Sequence, residues 1–285
     1  MRNIEYLNGI SGVIPGGVAT LNMKVARRYH ALKVFLKALI EGDPVGAAGV
    51  YDTETTDPTK IISLAKLLVN GIAVRELEPI DVLRIAAINY GGVLPSGVLP
   101  FFFSEPRRRT ITGEEVTAWD MFGQNNFALE LHFKSNIQNP TARTMASYDF
   151  GRTTAKNKEG KDVGMLQIVT QRYLTQSVPG GDMDFTTLPK RNPISRLHIA
   201  PSAGTVNDVE VVRDGEKVFE ASKAENDQFL ADYGMVTPYE YSVVFDHEQQ
   251  RSSPLLVQRD LNLRANFSES NSAKIVVEAI SPVYA

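Results

Sequence analysis

The sequence predicts an all-β protein built from two tandem eight-stranded jelly rolls, each with one short helix. The first observation is an internal repeat: Tyr-Gly-x-Val-x-Pro occurs at residues 90–95 and again at residues 233–238 of a 285-residue chain. The second is that apolar side chains alternate with polar ones, which is typical of strands with one solvated face. The third is that turn signals separate short segments, giving about 14 to 16 strands.

The sequence upstream of the repeated phrase also occurs twice. Residues 69–76 (VNGIAVRE) and 213–220 (RDGEKVFE) hold strand-forming residues around Asn-Gly or Asp-Gly. These dipeptides supply the positive φ angles of a two-residue hairpin turn. Each copy is therefore expected to contain a hairpin at this point.

Pro-Gly-Gly precedes an alternating segment in each copy, at residues 14–23 and 178–187. The first copy has about 20 more residues before its hairpin, which indicates an insertion. These correspondences predict three parts of the chain: a first jelly roll over 1–138 with an inserted loop at 41–60, a connector over 139–164, and a second jelly roll over 165–285.

The strands follow from alternation in chain order. In the first clear case, Ala19, Leu21 and Met23 share one face, while the intervening residues are polar or charged. Residues 127–134 (FALELHFK) repeat the pattern, and two more candidate strands lie near the C-terminus at 260–267 and 273–281. Period-two alternation over four to eight residues favours half-buried strands.

One helix is predicted just before each copy of the repeated phrase. In the first copy it begins at Pro79, because proline lacks only an N–H that a first turn leaves unused, and it ends at Gly91. In the second copy Ser222 and Glu225 have the spacing of a capping box, and Gly234 is placed to end the helix in a left-handed conformation. The repeated phrase is therefore interpreted as a helix end followed by a strand entry.

The composition is that of a globular protein, with 43% hydrophobic and 22% charged residues. A net charge of −3 gives no overall electrostatic footprint for nucleic acid, so no sequence-specific binding of nucleic acid is expected. The absence of cysteine excludes disulfides, thiolate metal sites and cysteine nucleophiles. No segment approaches the ~18 apolar residues of a membrane span, and no signal peptide is visible, so a soluble protein is expected.

The sequence contains no recognisable catalytic motif, and we expect no enzyme. The four histidines, His30, His132, His198 and His247, have no metal-ligand spacing and are expected on the surface. His132 and His198 are expected to point outward from their strands. The single tryptophan, Trp119, is expected in a core or an interface. Because the two facing carboxylates of a glycosidase leave no signature, a soluble or secreted glycan-binding or carbohydrate-active double jelly roll remains the alternative function.

Two charge clusters are candidate sites. Asp52, Glu54 and Asp57 lie together in the inserted loop and are weak calcium candidates, since oxygen ligands suit calcium, although a solvated acidic loop also explains them. Arg107, Arg108 and Arg109 follow an apolar segment, where they would meet lipid headgroups or an acidic neighbour, or belong to a hydrated loop. No residue is assigned to a catalytic or cofactor-binding role.

Several long segments together resemble one viral family. Residues 214–234 and 239–280 resemble the closing half of the major capsid protein of corticoviruses, the tailless icosahedral bacteriophages with an internal membrane. Residues 68–88 and 127–137 are similar to its first half. The resemblance covers most of the chain, and the inserted loop and the connector fit it less well.

The resemblance implies a major capsid protein that acts by assembly. Three subunits would form a homotrimer, a pseudo-hexameric capsomer of an icosahedral shell around an internal lipid membrane. The implied partners are neighbouring capsomers, a vertex (penton) protein and minor membrane-associated virion proteins, and the protein would be made in the host cytoplasm and reside in the virion. Arg2 and the arginine cluster would lie near the membrane, the inserted loop would protrude into solvent, and calcium would be the possible cofactor.

Overall fold

The computed structural model describes residues 2–41, 51–90, 94–104, 118–151, 168–235, 238–245 and 254–281. These residues form two units, the first extending to Ile168 and the second spanning Val169–Ser281. Both units consist mainly of antiparallel strands. Within the described residues there are 18 strands and three helices.

The strands of the first unit, in chain order, are β1 (Asn3–Leu7), β2 (Val18–Met23), β3 (Arg28–Glu41), β4 (Tyr51–Thr55), β5 (Ile62–Val69), β6 (Ile72–Leu77), β7 (Val98–Phe102), β8 (Trp119–Asp120), β9 (Phe127–Phe133) and β10 (Ile137–Asp149). The strands of the second unit are β11 (Ile168–Val178), β12 (Gly181–Phe185), β13 (Ile194–Pro201), β14 (Val206–Arg213), β15 (Glu216–Ser222), β16 (Tyr241–Val244), β17 (Leu261–Phe267) and β18 (Asn271–Ser281). The helices are α1 (Pro58–Ile61), α2 (Pro79–Tyr90) and α3 (Lys223–Asp232).

The second unit is an eight-stranded jelly roll. One of its sheets has the order β11-β18-β13-β16, and the other has the order β12-β17-β14-β15. The first, eighth, third and sixth strands thus form one sheet, and the second, seventh, fourth and fifth form the other. This alternation between two antiparallel sheets is the strand order of a jelly roll.

The first unit repeats this strand order with two additions. Its sheets contain β1-β10-β3 with β7 paired to β3, and β2-β9-β5-β6. The long strand β3 pairs with β10 along one edge, and along the other edge with β8, β7 and β4 in succession. Without β4 and β8, the eight strands have the order of the second unit, so the predicted double jelly roll is confirmed.

The predicted hairpins occur in both units. Val69 and Ile72 form a cross-strand pair that encloses Asn70 and Gly71, whose φ angles are 52° and 79°. The equivalent turn in the second unit has φ angles of 53° and 87° at Asp214 and Gly215. Two consecutive positive φ angles define the type I′ turn that suits the twist of a hairpin.

Both predicted helices are confirmed. Helix α2 begins at Pro79 as expected, and Gly91, its predicted end, lies outside the described residues. Helix α3 has the capping box, in which Ser222 accepts from the N–H of Glu225 and the Glu225 carboxylate accepts from the N–H of Ser222. Its C-terminal end has the two hydrogen bonds of a Schellman motif, and Gly234 adopts a φ of 65°.

The core of the first unit contains an aromatic cluster. Trp119 is fully buried, with its ring centroid 4.4 Å from that of Phe103 and 5.7 Å from that of Phe127. Tyr29 contacts Phe127 edge to face at 5.2 Å. Trp119 is therefore a core residue, and it offers no exposed surface on which a sugar ring could stack.

The core of the second unit lies between its two sheets. Phe185 and Phe267 contact each other at its centre, with ring centroids 6.2 Å apart. They are surrounded by fully buried aliphatic residues from both sheets, including Leu197, Ile199, Val209, Val211, Leu263 and Ile275. Inward-facing aliphatic side chains from both sheets of a sandwich build such a core.

Two predicted segments differ from the structure. Residues 139–149, expected to begin the connector, belong to β10, which pairs with both β1 and β3. In the inserted loop, Tyr51–Thr55 is strand β4 and Pro58–Ile61 is helix α1. Residues 42–50 of the inserted loop and 152–164 of the connector lie outside the described residues.

Candidate functional site

A buried cluster of an arginine, a histidine and a carboxylate lies between β3 and β10 of the first unit. Asp149 is directly opposite Arg28 in the strand register. Arg28 donates two hydrogen bonds to it, Nε to Oδ1 at 2.9 Å and Nη2 to Oδ2 at 2.8 Å. His30 Nε2 lies 2.8 Å from Oδ2, and the N–H of Gly151 donates to Oδ1. The carboxylate thus has a partner on both oxygens.

The second unit contains an equivalent cluster between β13 and β18. Glu278 is opposite Arg196 in the register, and its Oε1 lies 3.6 Å from Nη1 of that arginine. The same oxygen is 3.0 Å from Nε2 of His198, whose Nδ1 is 2.9 Å from the hydroxyl of Ser242. Gln171 donates to the other carboxylate oxygen at 2.8 Å. Every polar atom of the His198 ring therefore has a partner.

Burial and hydrogen bonding act in opposite directions on the two carboxylates. Burial alone would raise the pKa of Asp149, but hydrogen bonds from Arg28, His30 and the Gly151 backbone outweigh it and lower the pKa to about 2. Burial would likewise raise the pKa of Glu278, and the hydrogen bond from His198 with the charge of Arg196 lowers it to about 2. Both carboxylates are therefore ionised at neutral pH.

For His30, the histidine of the first cluster, the effect of burial on the pKa exceeds that of hydrogen bonding. Burial lowers the pKa of His30 below its usual value of 6.5, and the opposing hydrogen bond with Asp149 does not fully compensate. The positive charges of Arg2 and Arg28 lower it further. His30 is therefore neutral at neutral pH, so Arg28 and Asp149 carry the ion pair of this cluster.

The expectation that the histidines lie on the surface is wrong for two of them. His30 and His198 are buried, with 2% and 0% of their surface exposed. His132 is half-buried on β9, and His247 lies outside the described residues. His198 was expected to point away from the core, but the outward face of its strand is also covered, in part by Tyr239, which stacks on its ring at 4.5 Å.

The sequence did contain a signal for these clusters. Arg-x-His occurs at residues 28–30 and again at residues 196–198, 168 positions later. This offset is close to that of the repeated Pro-Gly-Gly, which is 164. A search restricted to pairs of histidines misses it, because each cluster contains one histidine and draws its carboxylate from a distant strand.

The clusters connect neighbouring strands, and their burial excludes them as catalytic sites. In the second cluster, Ser242, His198 and Glu278 have the spacing of a hydroxyl, a base and an orienting carboxylate. Because 1% or less of the surface of Ser242 and His198 is exposed, a substrate has no access to this hydroxyl. In the part of the chain that the structure describes, no group of three or more metal-ligating side chains could hold a metal ion. The clusters therefore fix the pairing of β3 with β10 and of β13 with β18.

Two of the three predicted calcium candidates, Glu54 and Asp57, have side chains that the structure describes. The Glu54 carboxylate pairs with the Lys37 ammonium at 2.6 Å. Asp57 precedes α1, where its Oδ1 accepts hydrogen bonds from the N–H and the hydroxyl of Thr59. The side chain of Asp52 lies outside the description. Glu54 and Asp57 therefore have separate local partners.

The predicted membrane-proximal arginines are only partly described. Arg2 is exposed and precedes β1. Arg107, Arg108 and Arg109 lie outside the described residues. None of the helices that the structure describes combines the length and the apolar character needed to cross a membrane.

Apart from the buried clusters, the described residues include an exposed edge strand and an open cavity. Strand β1 lies at the end of its sheet and exposes Ile4 and Tyr6. In the second unit, β15 borders a cavity of about 620 Å³ that is lined by Phe219, Phe229 and Leu255 among others. Exposed apolar groups of this kind often mark interaction surfaces.

Family comparisons match both units. Residues 50–149 match the model described as "Viral coat protein P2 N-terminal domain", and residues 168–283 match "Viral coat protein P2 C-terminal domain". Together these matches cover more than half of the chain. No curated protein sequence matches it.

Solved structures with the same fold come from several viruses. The chain is similar to the major capsid protein P2 from bacteriophage PM2, with a TM-score of 0.80 and 19% identity over 99% of this chain and 98% of that one. It is also similar to the STIV MCP, with a TM-score of 0.72 and 9% identity over 100% and 98% of the two chains. A chain from the PBCV-1 virus capsid has a TM-score of 0.63 and 9% identity, over 100% of this chain and 97% of that one. At these identities the similarity shows the fold alone.

Proposed function

The chain belongs to the viral coat protein P2 family, and we propose that three copies of it form a trimer, the pseudo-hexameric capsomer of an icosahedral shell. Both the N-terminal and the C-terminal domain of the family are present, so the protein is a structural coat protein and not an enzyme. We propose that it is a major capsid protein of its virion, as the PM2 protein is described.

The observation that carries this proposal is the repeated strand order of the two units. Each unit is a jelly roll with the same arrangement of eight strands. A trimer of such chains has six similar barrels, which supports packing in a near-hexagonal lattice, while two different barrels in each chain permit different contacts with different neighbours. Closed cyclic symmetry is the usual arrangement of soluble oligomers.

Imaging of the purified protein tests this proposal. Single particles should show a six-lobed outline with threefold symmetry, because three copies contribute two barrels each. Two-lobed particles at all concentrations would contradict the trimer. A sixfold outline built from six chains would contradict the assignment of two lobes to one chain.

The internal lipid membrane, the vertex protein, the minor membrane-associated virion proteins and synthesis in the host cytoplasm belong to the same proposal. Arg2 and Arg107–Arg109 are its candidates for contact with lipid headgroups, because guanidinium groups bind phosphate in bidentate fashion. Flotation with anionic vesicles tests this role. Replacing Arg107, Arg108 and Arg109 with glutamine should reduce the bound fraction, and an unchanged fraction would contradict it.

Calcium binding by the inserted loop is a further prediction, and the purified protein can be used to test it. If Asp52, Glu54 and Asp57 hold calcium, chelation should change the mass of the assembly, and Glu54→Gln should abolish that change. The pairing of Glu54 with Lys37 gives the opposite expectation, in which chelation has no effect. The glycan-binding alternative has no support, since the family is one of coat proteins and Trp119 is buried.

A further inference from the structure

Two sheets end in strands whose outer edges are unpaired among the described residues. Strand β1 pairs with β10, and β15 pairs with β14. Each has one described partner strand, and each is the terminal strand in the order of its sheet. An open edge presents backbone N–H and C=O groups that can pair with another chain.

The edge at β1 is apolar and basic. Ile4 and Tyr6 are 69% and 48% exposed, and because they are two residues apart they lie on the same face of the strand. Arg143 stacks over the ring of Tyr6 at 4.0 Å. Lys33, which is exposed, shares this face, since the strand register aligns it with Tyr6 through Met145.

The edge at β15 borders an apolar cavity with an acidic rim. Val218 and Phe219 of this strand and Phe229 of α3 contribute apolar surface to the cavity of about 620 Å³. Glu220 and Glu225 also line it. Among the described lining residues the one basic side chain is Arg213, which pairs with Glu216 at 2.9 Å. Glu220 pairs with Lys217 at 2.8 Å, and Lys217 also pairs with Glu210 at 2.9 Å. The described part of the rim therefore has an excess of negative charge, since Glu210, Glu216, Glu220 and Glu225 outnumber Arg213 and Lys217.

The two helices that occupy equivalent positions in the repeat differ in burial. Helix α2 buries Val82, Ile85 and Ile88 within its own unit. Helix α3 buries Asn226 and Leu230 and leaves Phe229 and Tyr233 about 40% exposed, in contact with each other. Part of the apolar surface of α3 is therefore exposed to solvent, and Phe229 also lines the cavity.

We propose that β1 of one copy docks along β15 of a second copy and inserts Ile4 and Tyr6 into the cavity between β15 and α3. The occupant is a second copy of this chain because the basic, apolar edge of β1 complements the acidic rim and apolar floor of the cavity. A contact of β1 with β1 would instead oppose like charges. This inference rests on the proposed trimer, to which it adds the contact surfaces.

The proposed contact between β1 and β15 determines the symmetry of the assembly. Each copy contributes a β1 edge and a β15 edge, so the contact joins two different surfaces and is heterologous. A heterologous contact forms a closed ring when its rotation divides the full turn evenly. Three copies then form three identical contacts, and neither the β1 edge nor the β15 edge remains open.

Charge substitution on β1 tests the docking. Ile4→Glu would place a carboxylate beside the acidic rim, so we expect the assembly to dissociate, with a threefold decrease in mass by light scattering. Ile14→Glu is the matched control, because Ile14 is 60% exposed and lies outside β1. It should keep the mass of the wild type. Far-ultraviolet circular dichroism verifies that both variants are folded.

Cysteine cross-linking tests the same contact directly in a chain that contains no cysteine. Ile4→Cys or Tyr6→Cys is combined with Val218→Cys or Glu220→Cys, and the four double variants are oxidised. At least one should give covalent dimers and trimers on a denaturing gel without reductant, because β1 and β15 belong to different copies. The pair Ile14→Cys with Glu220→Cys should remain monomeric on the gel.

The outcomes separate this inference from the proposed function. A trimeric wild type with a trimeric Ile4→Glu variant and no cross-link in any of the four pairs would overturn the docking and leave the trimer intact. A wild type that stays monomeric would overturn the trimer, and the docking with it. Cross-linked trimers together with dissociation of Ile4→Glu would support both.

Discussion

At the scale of residues, the two units use the same arrangement of charges in their interiors. In each, an arginine and a histidine two positions apart on one strand meet a carboxylate on the neighbouring strand. A buried charge is costly unless it is paired and hydrogen-bonded. Because each carboxylate has several donors, the clusters favour one strand register, since a shift by one residue would separate the partners.

Removing the carboxylate of the second cluster should destabilise the protein strongly. Glu278→Ala would remove the buried carboxylate that pairs with Arg196 and His198, and we expect a loss of about 3–5 kcal/mol in the free energy of unfolding. Urea-induced unfolding measures this loss of free energy. Glu216→Ala, at a carboxylate that is largely exposed on β15, is the control and should leave the midpoint unchanged. Equal midpoints for both variants would contradict a structural role for the cluster.

The clusters should also make stability depend on pH below neutrality. The pKa values of Asp149 and Glu278 are about 2 in the folded protein, against 3.8 and 4.5 for the free side chains. Their contribution is complete above about pH 4.5 and is lost as the pH falls toward 2, because the unfolded chain then binds more protons.

His30 adds to this dependence at higher pH. Burial lowers its pKa below 6.5, so stability should begin to decrease as the pH falls below 6.5. Thermal unfolding between pH 7 and pH 3 measures both contributions. The Asp149→Asn variant should show a weaker dependence below pH 4.5, and a wild type of constant stability from pH 7 to pH 3 would contradict the assigned protonation states.

At the scale of elements, the first side chain of each hairpin turn also binds the backbone of a distant segment, which the turn sequences do not predict. Asn70 Oδ1 accepts hydrogen bonds from the N–H groups of Asn125 and Asn126, in the segment before β9. Asp214, at the equivalent position, accepts from the N–H groups of residues 258–260, in the segment before β17. Each turn therefore fixes the segment that leads into a neighbouring strand of its sheet.

The glycines of these turns should resist substitution equally. Gly71 and Gly215 have φ angles of 79° and 87°, and a Cβ at either position would contact nothing within 4 Å. The cost of Gly71→Ala or Gly215→Ala is therefore conformational, about 1–2 kcal/mol each. Gly180→Ala is the control, since its φ is not positive and its Cβ would meet ordinary contacts. Urea midpoints should decrease for the first two variants only.

The elements that the sequence predicted are those with local signals. Asn-Gly, Asp-Gly, the capping box and Pro79 determine backbone conformation within a few residues, and the hairpins and helices occur where they were expected. Strand β10 was missed because its inward residues include Thr144 and Ala146, which give weak apolar alternation. Its pairing with β1 on one side and β3 on the other holds it in the sheet, and such pairing has no local signal.

At the scale of the whole molecule, the internal repeat was the most informative feature of the sequence. The repeat predicted two jelly rolls, and both units have that strand order. The buried clusters were not predicted, because each carboxylate lies far along the chain from its partners, 121 positions for Asp149 and Arg28 and 80 positions for Glu278 and His198. The repeat also explains why they occur twice, since each copy retains Arg-x-His on the equivalent strand.

The proposed trimer of double jelly rolls can be tested by the mass of the purified chain in solution. Light scattering behind a sizing column, over a range of protein concentrations, gives this mass. A trimer would have a mass near three times 31.4 kDa. A value of 31.4 kDa at every concentration would contradict it.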